Sequence, residues 1–116
     1  MKKTFLLVIE TDPRQSGRPA EAVRVAAGLS AWKKVEVHLY FHGPAVLSLR
    51  EDGGELVDEE NFRQCLPILK EFGWPAYVEK GSRWLAEIGT AVLPWVELGP
   101  AELADVLTRF DYSARF

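Results

Sequence analysis

An apolar run, a polar break, a one-sided helical pattern and a second β-rich run occupy the first 41 residues in that order. Thr4–Ile9 is nearly all apolar and lacks the alternation of a strand with one wet face, so it reads as a strand buried on both sides. Residues 11–19, TDPRQSGRP, break it. From Ala20 onward, Ala22, Val25, Ala26, Leu29 and Trp32 recur at spacings of three and four, with Glu21, Arg24 and Lys33 left for water. That spacing predicts a helix with one apolar stripe. Val35–Phe41 is rich in β-branched and aromatic residues and predicts the next strand. A strand, a helix and a strand in so short a stretch define a parallel βαβ unit with a right-handed crossover.

The later residues extend this unit. His42-Gly43-Pro44 ends the second strand, Ala45–Leu49 predicts a short helix, and Glu51–Glu55 predicts a polar turn. Phe62, Cys65, Leu66, Leu69 and Phe72 fall on one side of a helix over residues 59–72. Pro67 removes a backbone donor inside it and predicts a kink or a fresh helical start. Pro75–Glu79 reads as a third strand, and residues 81–88 as a short helix that buries Leu85 and, beside it, Trp84. Residues 91–98 form an edge strand or an extended connection, because Pro94 cannot donate to a central ladder. Gly99-Pro100-Ala101-Glu102 opens a helix packed through Leu103, Val106, Leu107 and Phe110, and residues 111–116 suggest a terminal strand. The expected fold is a single α/β domain over residues 1–116, with a central, mainly parallel five-stranded sheet between helices in three layers.

Composition excludes several classes of function. A chain of 116 residues holds one core. Its net charge of −3 gives no basic field for nucleic acid. One cysteine allows no intrachain disulfide, and with no CxxC pair and no compact ligand cluster, neither a metal nor another cofactor is expected. Met1-Lys2-Lys3 precedes only six mostly apolar residues, too few for an export core, and no span reaches membrane length. A reducing cytoplasm and no membrane contact are expected.

In order and length the chain resembles the DsrE/DsrF-like sulfur-relay family. The resemblance rests on the opening strand, the helix from Pro19 to Trp32, the segment Tyr40-Phe41-His42-Gly43-Pro44-Ala45-Val46, and the end from Ala101-Glu102-Leu103-Ala104-Asp105 through Phe110-Asp111 to Phe116. It implies a mainly parallel α/β fold and assembly with copies of itself or with related subunits. It also implies, for sulfur-carrying members, a persulfide-bearing cysteine just beyond the third strand. Here that place reads Tyr77-Val78-Glu79-Lys80-Gly81, with no cysteine. A carboxylate or an ammonium cannot form a persulfide.

Three readings follow. Favoured is a noncatalytic relative that works through oligomeric assembly or partner binding, with Cys65 tucked among Phe62, Leu66 and Leu69, where burial raises a thiol's pKa. The second is a sulfurtransferase using a displaced Cys65, with Arg63 and Lys70 as the cations that would activate it. The third is a small-anion or metabolite site in the loops around Arg14, Gly17, His42, Gly43, Glu79 and Lys80, at the end where open parallel sheets place ligands. The loop after the first strand lacks the spaced glycines of a nucleotide loop. His42, beyond its strand, is a better proton carrier than His38 within it. Glu79 and Lys80 read as an ion pair, an exposed strand end or an altered ligand site. The tryptophans Trp32, Trp74, Trp84 and Trp95 are individually core residues, and as a group suggest a subunit interface.

Overall fold

The computed structural model describes residues 2–52 and 54–116. Met1, in the charged start, and Gly53, in the expected polar turn, lie outside the described residues. The βαβ unit forms as its pattern dictates: β1 (Lys3–Ile9), α1 (Arg18–Trp32) and β2 (Val35–Phe41), with β1 and β2 parallel and Leu7 in register with Leu39. A 3-10 helix over Gly43–Leu49 leads to α2 (Glu59–Glu71) and β3 (Ala76–Glu79). A second 3-10 helix, Arg83–Glu87, precedes β4 (Trp95–Leu98), α3 (Pro100–Arg109) and β5 (Tyr112–Arg115). The strands form one sheet in the order β4-β3-β2-β1-β5, and every neighbouring pair is parallel.

Strand periodicity sorts the side chains between two unequal faces. On the first face Leu7, Ile9, Val37, Leu39, Phe41, Ala76 and Val78 pack against Ala22, Val23 and Ala26 of α1 and Phe62, Leu66 and Leu69 of α2. Alanines at fully buried positions let α1 approach the sheet closely. The second face has a thinner cover: Leu6, Val8, Tyr40 and Leu98 meet Val106, with Leu103 also from α3, Phe110 just past its end and Tyr77 alongside. These are the three expected layers, with the second face resting on one ten-residue helix.

Backbone chemistry explains the helix ends. Pro19 sits in the first turn of α1, where its missing donor costs nothing. Lys33 closes that helix in a left-handed conformation, its N–H donating to the Ser30 carbonyl at 3.0 Å. At α3, Pro100 occupies the first turn and the Gly99 N–H donates to the Glu102 carboxylate at 3.1 Å. β5 is held to β1 by a side-chain clip: Asp111 accepts from the Thr4 N–H at 2.8 Å, and the Asp111 N–H donates to Thr4 Oγ1 at 3.0 Å.

Several expectations need correction. The helix α2 continues through Pro67, which lies on its exposed side, so the proline does not begin a fresh helix. Trp32, placed in the apolar stripe of α1, is 61% exposed at the helix end, and the stripe turns instead through Val23 and Ala27. Leu107 is also exposed, and Leu85 and Trp84 are half-buried rather than buried. Both follow from position, α3 having nothing outside it and the Arg83–Glu87 helix being a single short turn at the rim. Pro94 stands just outside β4, which is an edge strand as its chemistry requires.

Candidate functional site

The polar chemistry at the carboxyl ends of β2 and β3 gathers on one carboxylate. The His42 N–H donates to the Ile9 carbonyl at 2.9 Å, fixing the residue beyond β2 against β1. Gly43 then turns the chain at φ +58°, a conformation glycine adopts freely. Glu79 ends β3 on the second face, and its Oε2 lies 3.2 Å from His42 Nδ1 while its Oε1 accepts from the Gly43 N–H at 3.3 Å. Both side chains are about half exposed. The contact lies at ion-pair distance and sets an imidazole and a carboxylate, two groups able to exchange protons, side by side at the strand ends. Tyr40 lies beneath the pair, its ring 6.4 Å from that of His42. Burial, aided by the Glu79 charge, pushes its phenol above the usual range.

Of the residues marked by the sequence, the fold therefore joins His42, Gly43 and Glu79. Lys80 points its backbone N–H to the Leu98 carbonyl at 3.0 Å, and Glu79 is paired with His42 rather than with Lys80. Arg14 and Gly17 share no hydrogen bond or ion pair with this group. The Arg14 guanidinium grips Asp12 through two bonds of 3.0 and 2.8 Å and lies 5.1 Å over Trp84, whose ring Arg83 also approaches at 4.6 Å. Gly17 caps α1, its carbonyl accepting from the Glu21 N–H, and a side chain there would run into the Asp58 carboxylate at 2.9 Å. Within the expected loop site, Arg14 is thus engaged with Asp12 and Trp84, and His42, Gly43 and Glu79 with one another.

Cys65 lies across the sheet. It sits on α2 against the first-face core, whereas Glu79 belongs to the second face. It is half-buried, less enclosed than the sequence implied. Burial pushes the thiol upward, and the charge that opposes this is Arg24 of α1, not Arg63 or Lys70. Arg63 is already bound to Glu59 at 2.6 Å and Glu60 at 2.9 Å. Neither Arg24 nor Tyr40 was signalled by the sequence, since each meets its partner across tertiary contacts.

His38 is enclosed rather than poised for chemistry. Its Nε2 lies 2.7 Å from Glu36, its ring stacks on Trp74 at 5.0 Å, and Phe110 meets it edge-on at 5.1 Å. Among the described residues, no group of three or more His, Cys, Asp or Glu side chains is placed to hold a metal ion. Among the described residues, no helix is long and apolar enough to cross a membrane.

The sheet order and the His42–Glu79 pair define an α/β protein whose polar residues converge at the carboxyl edge of a wholly parallel five-stranded sheet. Among solved structures the chain is similar to the ychN protein from E. coli, whose crystal structure it matches with a TM-score of 0.79 at 22% identity over 100% of both chains. That likeness shows the fold, and it is the architecture expected of a DsrE/DsrF-like chain. No protein-family model and no curated protein matches the sequence.

Proposed function

We propose that this is a DsrE/DsrF-like protein that carries no sulfur itself and acts by assembling with copies of itself or with related sulfur-relay subunits in a reducing cytoplasm. One observation carries the reading: the end of β3, where the resemblance expects a persulfide-forming thiol, presents Glu79, 3.2 Å from His42. Sulfur transfer needs a thiolate to attack and to bear sulfane sulfur, and neither side chain provides it. Apolar surface for association is available at the sheet edge, where Trp95 and Val96 of β4 are 40% and 44% exposed. The test combines two measurements on the folded chain. Native mass spectrometry is expected to find oligomers, and a persulfide donor is expected to leave the intact mass unchanged. A monomer at high concentration that captures no related subunit would refute the assembly role.

A second reading keeps Cys65 as a sulfur carrier, favoured by its partial exposure and by Arg24 nearby. It requires a gain of one sulfur atom that Cys65→Ser abolishes. The small-anion reading is weakened by the commitment of Arg14 to Asp12, and it retains only the His42–Gly43–Glu79 group.

A further inference from the structure

A cleft unrelated to the His42–Glu79 pair opens between α2 and the neighbouring chain segments. Its volume is about 440 Å³, within the range of roughly 300–1,000 Å³ common for small-molecule sites. One wall is α2, through Glu59, Phe62, Arg63, Pro67 and Lys70; the other is Arg50–Asp52 with Thr90–Val92. That second wall is tied together by backbone bonds from the Glu51 N–H to the Thr90 carbonyl at 3.0 Å and from the Val92 N–H to the Leu49 carbonyl at 2.9 Å. These two bonds join the segments on either side of that wall.

The charges lining it are of both signs and unequal availability. Arg50 is bound to Glu55, and Glu59 to Arg63. Among the described residues Lys70, Glu51 and Asp52 line the cleft without an ion-pair partner. Pro67 adds a further acceptor, because it leaves the Arg63 carbonyl without its helical donor. Phe62, Ala91 and Val92 give the apolar surface. We propose that this cleft binds a small zwitterion with an apolar body, of the hydrophobic α-amino-acid class. Lys70 receives its carboxylate, Glu51 and Asp52 with the Arg63 carbonyl receive its ammonium, and Phe62 and Val92 receive its side chain. A purely anionic ligand would meet the two unpaired carboxylates, and a purely cationic one would leave Lys70 unused.

Three probes of one shape test this by amide chemical-shift titration of the full isotope-labelled chain. L-Phenylalanine has both charges, 3-phenylpropionate only the negative one and phenethylamine only the positive one. Phenylalanine is expected to saturate shifts at Phe62, Arg63 and Val92 and to bind about two- to fivefold tighter than either analogue, the worth of one exposed charge contact. Lys70→Gln, at an exposed position, is expected to weaken phenylalanine by about the same factor and leave phenethylamine unchanged. The proposal is overturned by equal binding of the three probes, by preference for a singly charged one, by indifference to Lys70→Gln, or by no saturable shift at these amides. The persulfide and native-mass results bear on none of these outcomes.

Discussion

His42 Nδ1 and Glu79 Oε2 stand 3.2 Å apart and join the ends of two adjacent parallel strands at the place where a sulfur-carrying relative would present a thiol. Each side chain is half in water, so the contact orients the imidazole more than it stabilises the fold. A double-mutant cycle with His42→Ala and Glu79→Gln, read by urea unfolding, is expected to give a coupling energy of about 0.5 kcal/mol. A coupling several times larger would show a pair buried more deeply than this.

Cys65 is expected to react slowly with an alkylating agent in the folded chain and faster once urea unfolds it. Burial raises its pKa and so reduces the thiolate present near neutral pH. Arg24 works against that rise, so Arg24→Gln slows alkylation of the folded protein further. Rates followed by intact mass across pH 7 to 9 check both directions, and fast stoichiometric labelling of the native chain contradicts them.

The Thr4–Asp111 clip makes the protein lose stability in acid. The bonds from Thr4 hold the Asp111 carboxylate below its usual range, so its contribution is present above the unfolded-state pKa and is lost as pH falls through the folded one. Asp12, lowered by its bonds to Arg14, acts in the same direction. Denaturant unfolding measured from about pH 6 down to about pH 3 is expected to show a shallower fall in Asp111→Asn than in the parent. An unchanged slope would mean that the clip does not survive in solution.

Two residues of α2 separate burial from helix propensity. Leu66 is fully buried and Ile68 is 40% exposed. Leu66→Ala is expected to cost about 2–5 kcal/mol by opening a cavity under α2, and Ile68→Ala to change stability by about 0.5 kcal/mol or less. Similar losses at both positions would contradict the packing of this helix.

Val96→Glu places a charge on the apolar edge strand. If that edge mediates assembly, native mass falls to the 13.1 kDa of one chain while circular dichroism is unchanged. Oligomers that persist in the variant would move the interface elsewhere.

Most of the fold was legible because its signals are local. The unbroken apolar run of Thr4–Ile9 and the small residues of α1 demanded a sheet covered on both sides, and Pro94 demanded an edge. Pro67 left a kink and a fresh helical start both open, because proline's cost depends on whether the orphaned carbonyl can reach water, which sequence does not state. The site was half legible. The Asp12–Arg14 pair, two residues apart, was within reach of local reasoning. His42, Gly43 and Glu79 were picked out by lying beyond strand ends, but nothing local indicated that one carboxylate would meet the other two. The same holds for Cys65: its apolar neighbours announced the side of the helix, and only the packing of α1 beside α2 brought Arg24 within reach.

The pairing of β5 with β1 has a consequence for synthesis. The outer edge of β1 is covered by β5, a strand that leaves the ribosome more than a hundred residues after it, the clip between them spanning 107 positions. Until then the nascent protein exposes an unprotected, strongly apolar strand edge, the kind of surface that chaperones shield and that pairs wrongly with other chains. Removing residues 112–116 would make that interval permanent.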